Sequence, residues 1–187
     1  KSEDPELHDL VKTFQIHQHS RSCRKYKNMD CRYGFGKYFT DRTIIASPLP
    51  CDMSTENKSE ILSKRNACLS RVKEFIDEYL HPKSPGYLPD LTIKQILDRL
   101  GISVLEYYEA LAISGSDDFE VHLKRSPNSC FVNNYNPTIL KAWQANMDLQ
   151  VVHNYYKAVS YMCAYFSKSE TQSSDAIRLA AKEVRTS

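Results

Sequence analysis

FQIHQHSRSCRKYKNMDC, residues 14–31, decides how this chain must be built. Two histidines, His17 and His19, are followed at short spacing by Cys23 and Cys31. Two imidazoles and two thiolates are a suitable donor set for tetrahedral zinc. The stretch from Ser20 onward is basic and irregular, with little apolar surface to hold it folded. A structural zinc would supply that free energy. The segment VKTFQIHQH (11–19) alternates apolar and polar residues and predicts a short strand, which would put His17 and His19 on one face. The spacing His17-x-His19-x3-Cys23-x7-Cys31 is not that of the common zinc fingers. Surface histidines beside free thiols therefore stay open as the plainer alternative.

Charge concentrates around the same stretch. The whole chain carries a net +2. Between Leu10 and Ile45, however, eight Lys or Arg residues face only Asp30 and Asp41. The aromatics Tyr26, Tyr33, Phe35, Tyr38 and Phe39 lie among these cations. Cations mixed with aromatic faces suit a single nucleic-acid strand. Arg21, Arg24, Lys25, Lys27, Arg32 and Lys37 are the candidate contacts; a solvated loop with some buried aromatics is the bland alternative.

The 187 residues suffice for one domain with a real core, or for one domain and a small appendage. Five glycines, a mean hydropathy of −0.53 and no apolar run near the ~20 residues of a spanning helix argue against a membrane protein. The six cysteines do not read as a disulfide framework, since two fall in the metal-like cluster and Cys163 in a helical stretch. That usage predicts an intracellular chain with reduced thiols. It opens on Lys1 rather than Met and has no signal peptide, which reads as an excerpt of something longer. No GxxxxGK[ST] loop is present, so the chain is no ATP-driven motor by itself.

Outward from the cluster, the expected organisation is α+β, a small antiparallel sheet covered by helices with a zinc-loop-like N-terminal segment. Three regions follow: 1–50 basic and His/Cys-bearing, 51–116 a helical insertion, and 117–187 carrying strands and further helices. TIIASPLP (43–50) begins as a strand. Ser59 to Leu80 is a helix with one apolar stripe through Cys68, Leu69, Val72, Phe75 and Ile76. Thr92-x-x-Gln95 and Ser103-x-x-Glu106 are capping boxes for two short helices, the second ending near Gly115. That helix–turn–helix layout reads as a packing unit, because its second helix carries Glu106 and Glu109 and no cation to meet phosphate. FEVHLKR (119–125) predicts a half-buried strand with Phe119, Val121 and Leu123 facing inward, paired with CFV (130–132). Asn136-Pro137 starts a helix to Asp148 with Trp143 as a core anchor. LQVVH (149–153) predicts a strand, and a last helix begins near Ser173.

Between these lies AVSYMCAYFSKSE (158–170), on a helix capped by Asn154. Tyr161 and Tyr165 are one turn apart on one face, with Lys168 a turn further. A phenol can attack a DNA phosphodiester, displacing a 3′-hydroxyl and leaving a 5′-phosphotyrosyl bond, with a divalent cation polarising the phosphate. Lys168 would neutralise phosphate charge or orient the phenol. Spacing alone fits core aromatics equally well. A further reading treats His17-Gln18-His19 as the metal pair of a rolling-circle nuclease, with Gln18 where those enzymes carry a hydrophobic residue.

Three blocks, LVKTFQIHQHSRSCRKY…CRYGFGKYF (10–39), FEVHLKRSPNSCFVNNYNPTILKAWQANMDLQ (119–150) and YYKAVSYMCAYFSKSE (155–170), together resemble the replication-initiator region of Helitron-type rolling-circle transposon proteins. The resemblance implies a partial DNA nicking and strand-transfer domain that binds single-stranded DNA. The family's paired catalytic tyrosines match Tyr161 and Tyr165, and its zinc-loop-like segment matches His17, His19, Cys23 and Cys31. It further implies catalytic Mg²⁺ or Mn²⁺ held by histidines upstream of this chain, a helicase domain in the same parent polypeptide, and a nuclear location. By that comparison the chain alone would be inactive. A zinc-stabilised DNA-binding or protein-interaction module without chemistry is the alternative.

Overall fold

The computed structural model describes residues 4–20, 23, 31, 33–152, 155–156 and 158–163. Two compact units divide between Gln150 and Val151. The first is α+β, a two-stranded antiparallel sheet with helices around it.

Helix α1 spans Pro5–Leu10: the Asp4 carboxylate accepts from the Leu7 amide at 3.1 Å and Pro5 occupies the first turn. It runs on into a π-helical turn, Val11–Gln15, so the strand expected over 11–19 is not formed. Those start signals outrank a weak alternation. Only from Ile16 is the backbone extended, bridged to Val132.

Helix α2 (Thr55–Tyr79) is the scaffold, and it begins four residues earlier than its apolar stripe suggests. The Ser54 hydroxyl accepts from the Asn57 amide and so caps it. Cys68, Leu69, Val72, Phe75 and Ile76 face the core from consecutive turns. Helix α3 (Ile93–Leu100) carries the expected capping box of Thr92 and Gln95. It ends at Gly101, whose φ of 61° is the left-handed conformation that favours glycine. Helix α4 (Val104–Ala112) is capped by Ser103 and stops three residues short of Gly115. Helices α2, α3 and α4 pack on one another. Tyr107 is wholly buried between them, and its hydroxyl donates to the Phe39 carbonyl at 2.8 Å.

Strands β1 (Ile44–Ala46) and β2 (Glu120–His122) pair with Ile45 opposite Val121. The register corrects one expectation. Phe119, Val121 and Leu123 do share a side, because alternation requires it, but that side is the outer one: Ile45 is 65 % and Phe119 51 % exposed. The inner side holds Ala46, Ile44 and His122, the last edge-on to Tyr38. Burial there pulls the His122 pKa down and keeps the ring neutral. Nor does 130–132 pair with β2. A 3₁₀ turn, Pro127–Ser129, intervenes and carries Val132 across to Ile16.

Helix α5 (Pro137–Trp143) is capped by Asn136 as expected but ends at Trp143, with Gln144 left-handed. Trp143 is not a core anchor. It is 68 % exposed, and Leu140 is the buried residue of this helix. Lys141 reaches Asp4 at 2.7 Å and Glu6 at 3.5 Å, tying α5 to α1. Residues 149–152 form no strand. Asn134 holds this stretch instead, through reciprocal bonds with Leu149.

One core cluster draws on all three sequence regions, from Cys23, Cys31 and Phe35 through Leu69, Ile76 and Leu97 to Cys130 and Phe131. In the second unit, residues 155–156 and 158–163 are helical. The helix predicted from Ser173 lies outside the described residues. No helix among the described residues is long and apolar enough to cross a membrane.

Tyr107→Phe strands the Phe39 carbonyl without its donor, and should cost about 1–3 kcal/mol of unfolding free energy in urea titrations. Trp143→Ala should change it by no more than about 0.5 kcal/mol. A large loss from the tryptophan change would contradict its exposed position.

Candidate metal centre

The first two ligands are set by an antiparallel pair of backbone bonds. The His17 amide donates to the Phe131 carbonyl and the Asn133 amide to the Gln15 carbonyl, both at 2.8 Å. This extended stretch alternates. His17 and His19 turn inward, half-buried, while Gln18 turns outward and accepts from the Lys83 ammonium at 2.7 Å. The shared face expected of the two histidines is therefore present without a regular strand.

The thiols arrive from the other side and are buried, Cys23 2 % and Cys31 6 % exposed. The Cys31 carbonyl accepts from the Gly34 amide, turning the chain at Gly34, whose φ is +65°. The Cys31 sulfur lies 3.4 Å from His17 Nε2, and the Cys23 sulfur 3.6 Å from His19 Nδ1. All four donor atoms fall within 4.8 Å of one another, so the group could hold a metal ion. An N···S edge of a tetrahedral zinc site is about 3.6 Å, from Zn–N near 2.0–2.1 Å and Zn–S near 2.3 Å. The Ser20 amide donates to the Cys23 sulfur at 3.1 Å, and the same sulfur lies 3.3 Å from the Ser20 carbonyl, which holds the Cys23 side chain in place.

Around the four ligands sits a shell that spacing does not reveal. Phe35 stacks on His17 with ring centroids 4.0 Å apart and 8° between planes. Phe131 meets His19 edge-on at 5.7 Å. Lys73, on α2, donates to the carbonyls of Phe35 and Gly36. A Cβ at Gly36 would lie 2.5 Å from Lys73 Nζ and 2.7 Å from the Asp77 carboxylate. The chain thus presses on α2 at Gly36, and Lys73 fixes the ring that fixes His17. Cys130 is no ligand: it is fully buried, and burial pushes its thiol up to about 12, a neutral core residue.

Of the other predicted site residues, Arg21, Arg24, Lys25, Lys27 and Arg32 lie outside the described residues, as do Tyr165 and Lys168. Lys37 is half-buried, with its ammonium 5.0 Å above the Phe35 ring. Tyr161 is helical and 69 % exposed. Comparison of the chain with protein-family models, with curated proteins and with solved structures returns no match.

Titration with Zn²⁺ against a chromophoric chelator should find one site per chain. His17→Ala and Cys31→Ala should each abolish it, and affinity should fall as pH drops, because the ligands must shed protons to bind. Lys73→Met, which touches no ligand, should weaken binding about tenfold, as loss of an outer-shell support does. Unchanged affinity in Cys31→Ala would exclude the site.

Proposed function

We propose that this chain is part of the replication-initiator domain of a Helitron-like transposon protein, a module that binds single-stranded DNA and carries a tyrosine nucleophile. The observation that carries the reading is the convergence of His17, His19, Cys23 and Cys31. These four come from a segment picked out by its likeness to that family's zinc-loop-like block. Two thiolates and two imidazoles favour zinc over Mg²⁺ or Mn²⁺, which take oxygen donors.

A zinc ion bound there would fix both ends of the segment between Cys23 and Cys31. That segment carries Arg24, Lys25 and Lys27 against the single acid Asp30, with Arg21 and Arg32 just outside it. A loop clamped at both ends loses less entropy on meeting a polyanion than a free one does. The cations set affinity through phosphate contacts, and the interleaved Tyr26 and Tyr33 offer faces on which bases stack.

The exposure of Tyr161 fits a nucleophile that must reach a phosphodiester. Its oxygen would bond to phosphorus as the 3′-oxygen leaves with a proton, conserving the phosphate ester as a 5′-phosphotyrosine. Tyr165 would act second and Lys168 would neutralise phosphate charge. The cation that polarises the phosphate, Mg²⁺ or Mn²⁺, needs oxygen or imidazole ligands and open positions. A closed four-ligand cluster leaves none, so this cation would be held by histidines elsewhere in the parent protein, which would also carry the helicase and work in the nucleus.

The same closed ligand set favours a second reading, a zinc-stabilised DNA-binding module without chemistry of its own. Nicking of a single-stranded oligonucleotide by the intact parent protein separates the two. Tyr161→Phe should abolish the covalent protein–DNA adduct if the tyrosine is the nucleophile, and should change nothing if the chain only binds. Binding to a labelled oligo-dT should weaken steeply as salt rises. A flat salt dependence would remove both readings.

A further inference from the structure

We infer that Lys37 and Arg125 form a binding site for a phosphate group next to the metal loop. The inference deepens the DNA-binding reading and rests on it for the identity of the natural ligand. It comes from two cations that the fold brings together and leaves without a counter-ion.

The two residues stand on paired segments, and the Arg125 guanidinium reaches back to the Ser129 carbonyl, beside the Cys130 carbonyl that the Lys37 amide bonds. The Thr40 amide donates to the Arg125 carbonyl at 2.9 Å and the Arg125 amide to the Thr40 carbonyl at 2.8 Å. The Lys37 amide donates to the Cys130 carbonyl at 2.9 Å. Residues 37–40 therefore run along 125–130, although some 85 positions separate them in sequence.

Arg125 is only 9 % exposed, yet every printed partner of its guanidinium is neutral: the carbonyls of Ser129 and Val132, and the Asn134 side-chain oxygen at 2.6 Å. The nearby Cys130 thiol does not compensate, since it stays protonated. Lys37 has no hydrogen-bond acceptor for its ammonium among the described residues, only the Phe35 ring beneath it. Burial, then Arg125, pushes the Lys37 pKa down, while Asp148 is the one acid whose charge pulls it up. Asp148 is itself engaged by the Gln150 amide. A buried Arg125 and a half-buried Lys37, with no ion pair to either among the described residues and Asp148 the one acid acting on Lys37, form an electrostatically undercompensated site. A phosphate group supplies what is missing: negative charge and acceptors for the Lys37 ammonium, with the Arg125 field behind it.

Position strengthens the case. Lys37 stands on the Phe35 ring that stacks on His17, so the site adjoins the metal cluster. A free phosphate ion has the same chemistry, and the experiment separates the two sources.

The variants are Lys37→Met, which keeps the stem over Phe35 and removes the charge, and Asp148→Asn, which removes the competing carboxylate. Circular dichroism confirms that both fold. In the first arm, inorganic phosphate should raise the Tm of the wild-type chain beyond chloride at equal ionic strength, and Lys37→Met should lose that increment. In the second, oligo-dT affinity is measured against salt. Lys37→Met should reduce the slope of log K against log salt by about 0.7, the share of one phosphate on a single strand. Asp148→Asn should bind several-fold more tightly. A Lys37→Met chain that matches wild type in both arms overturns the site. A phosphate response without oligonucleotide binding keeps the site and discards the DNA-binding reading.

Discussion

The fold depends on how the chain from Cys31 to Phe39 lies against α2. Cys23, Cys31, Phe35 and Phe39 belong to the same buried cluster as Leu69, Val72 and Ile76. Two of these core residues, Cys23 and Cys31, also belong to the group that could hold a metal ion. If a metal binds, their thiols would serve both packing and coordination. Lys73 and Gly36 enforce the approach, one by bonding to the passing carbonyls, the other by having no side chain in the way. Binding of a structural zinc is worth about 10–16 kcal/mol in small zinc domains. A domain's whole net stability is about 5–15 kcal/mol. If zinc binds, a term of that size at one end of the core would make the N-terminal part dependent on metal. The helical part, centred on Tyr107, Leu111 and Leu97, keeps its own buried contacts.

The two-stranded ribbon has no such anchor of its own, and a ribbon that small is marginal in isolation. Arg65 of α2 holds it. Its guanidinium donates to the Ile113 carbonyl at 2.7 Å and to the Glu120 carboxylate at 3.4 Å, joining the helix, the loop after α4 and β2. The other Glu120 oxygen accepts from Ser114 and Gly115. Glu120 is thus held from three directions, which pins the β1–β2 register and keeps His122 on the inner side.

Local signals were legible in the sequence, and long-range ones were not. Thr92, Ser103 and Asn136 each cap the helix they precede, because a cap needs only the next three residues, whereas the Ser54 cap of α2 was not legible because the apolar stripe begins after it. The convergence of His17, His19, Cys23 and Cys31 was legible for a related reason: donor type and short spacing restrict what four residues can do together. Strand pairing was not legible. The alternation of Phe119, Val121 and Leu123 does specify a common side, but which side meets the core depends on β1, some 75 positions earlier. Trp143 misled because a large apolar residue on a helix is buried only if something packs on it, and Leu140 takes that place. Phe35, Lys73 and Arg125 carry no motif. Their roles arise from contacts between segments that only the folded chain brings together.

The electrostatics link the metal to function. Zinc held by two thiolates and two neutral imidazoles makes a nominally neutral group, since the two thiolate charges cancel the cation. The cluster therefore adds no charge to attract a polyanion. Any attraction would have to come from cationic side chains, and Lys37 and Arg125 are the two that the fold buries near the cluster. A tyrosine nucleophile would need the opposite kind of metal, one with exchangeable positions and a net positive charge facing the phosphate. A closed His₂Cys₂ cluster cannot be both. A metal bound here would act mechanically, by tying His17, His19, Cys23 and Cys31 together, while the charge that a nucleic-acid strand would meet would belong to the side chains.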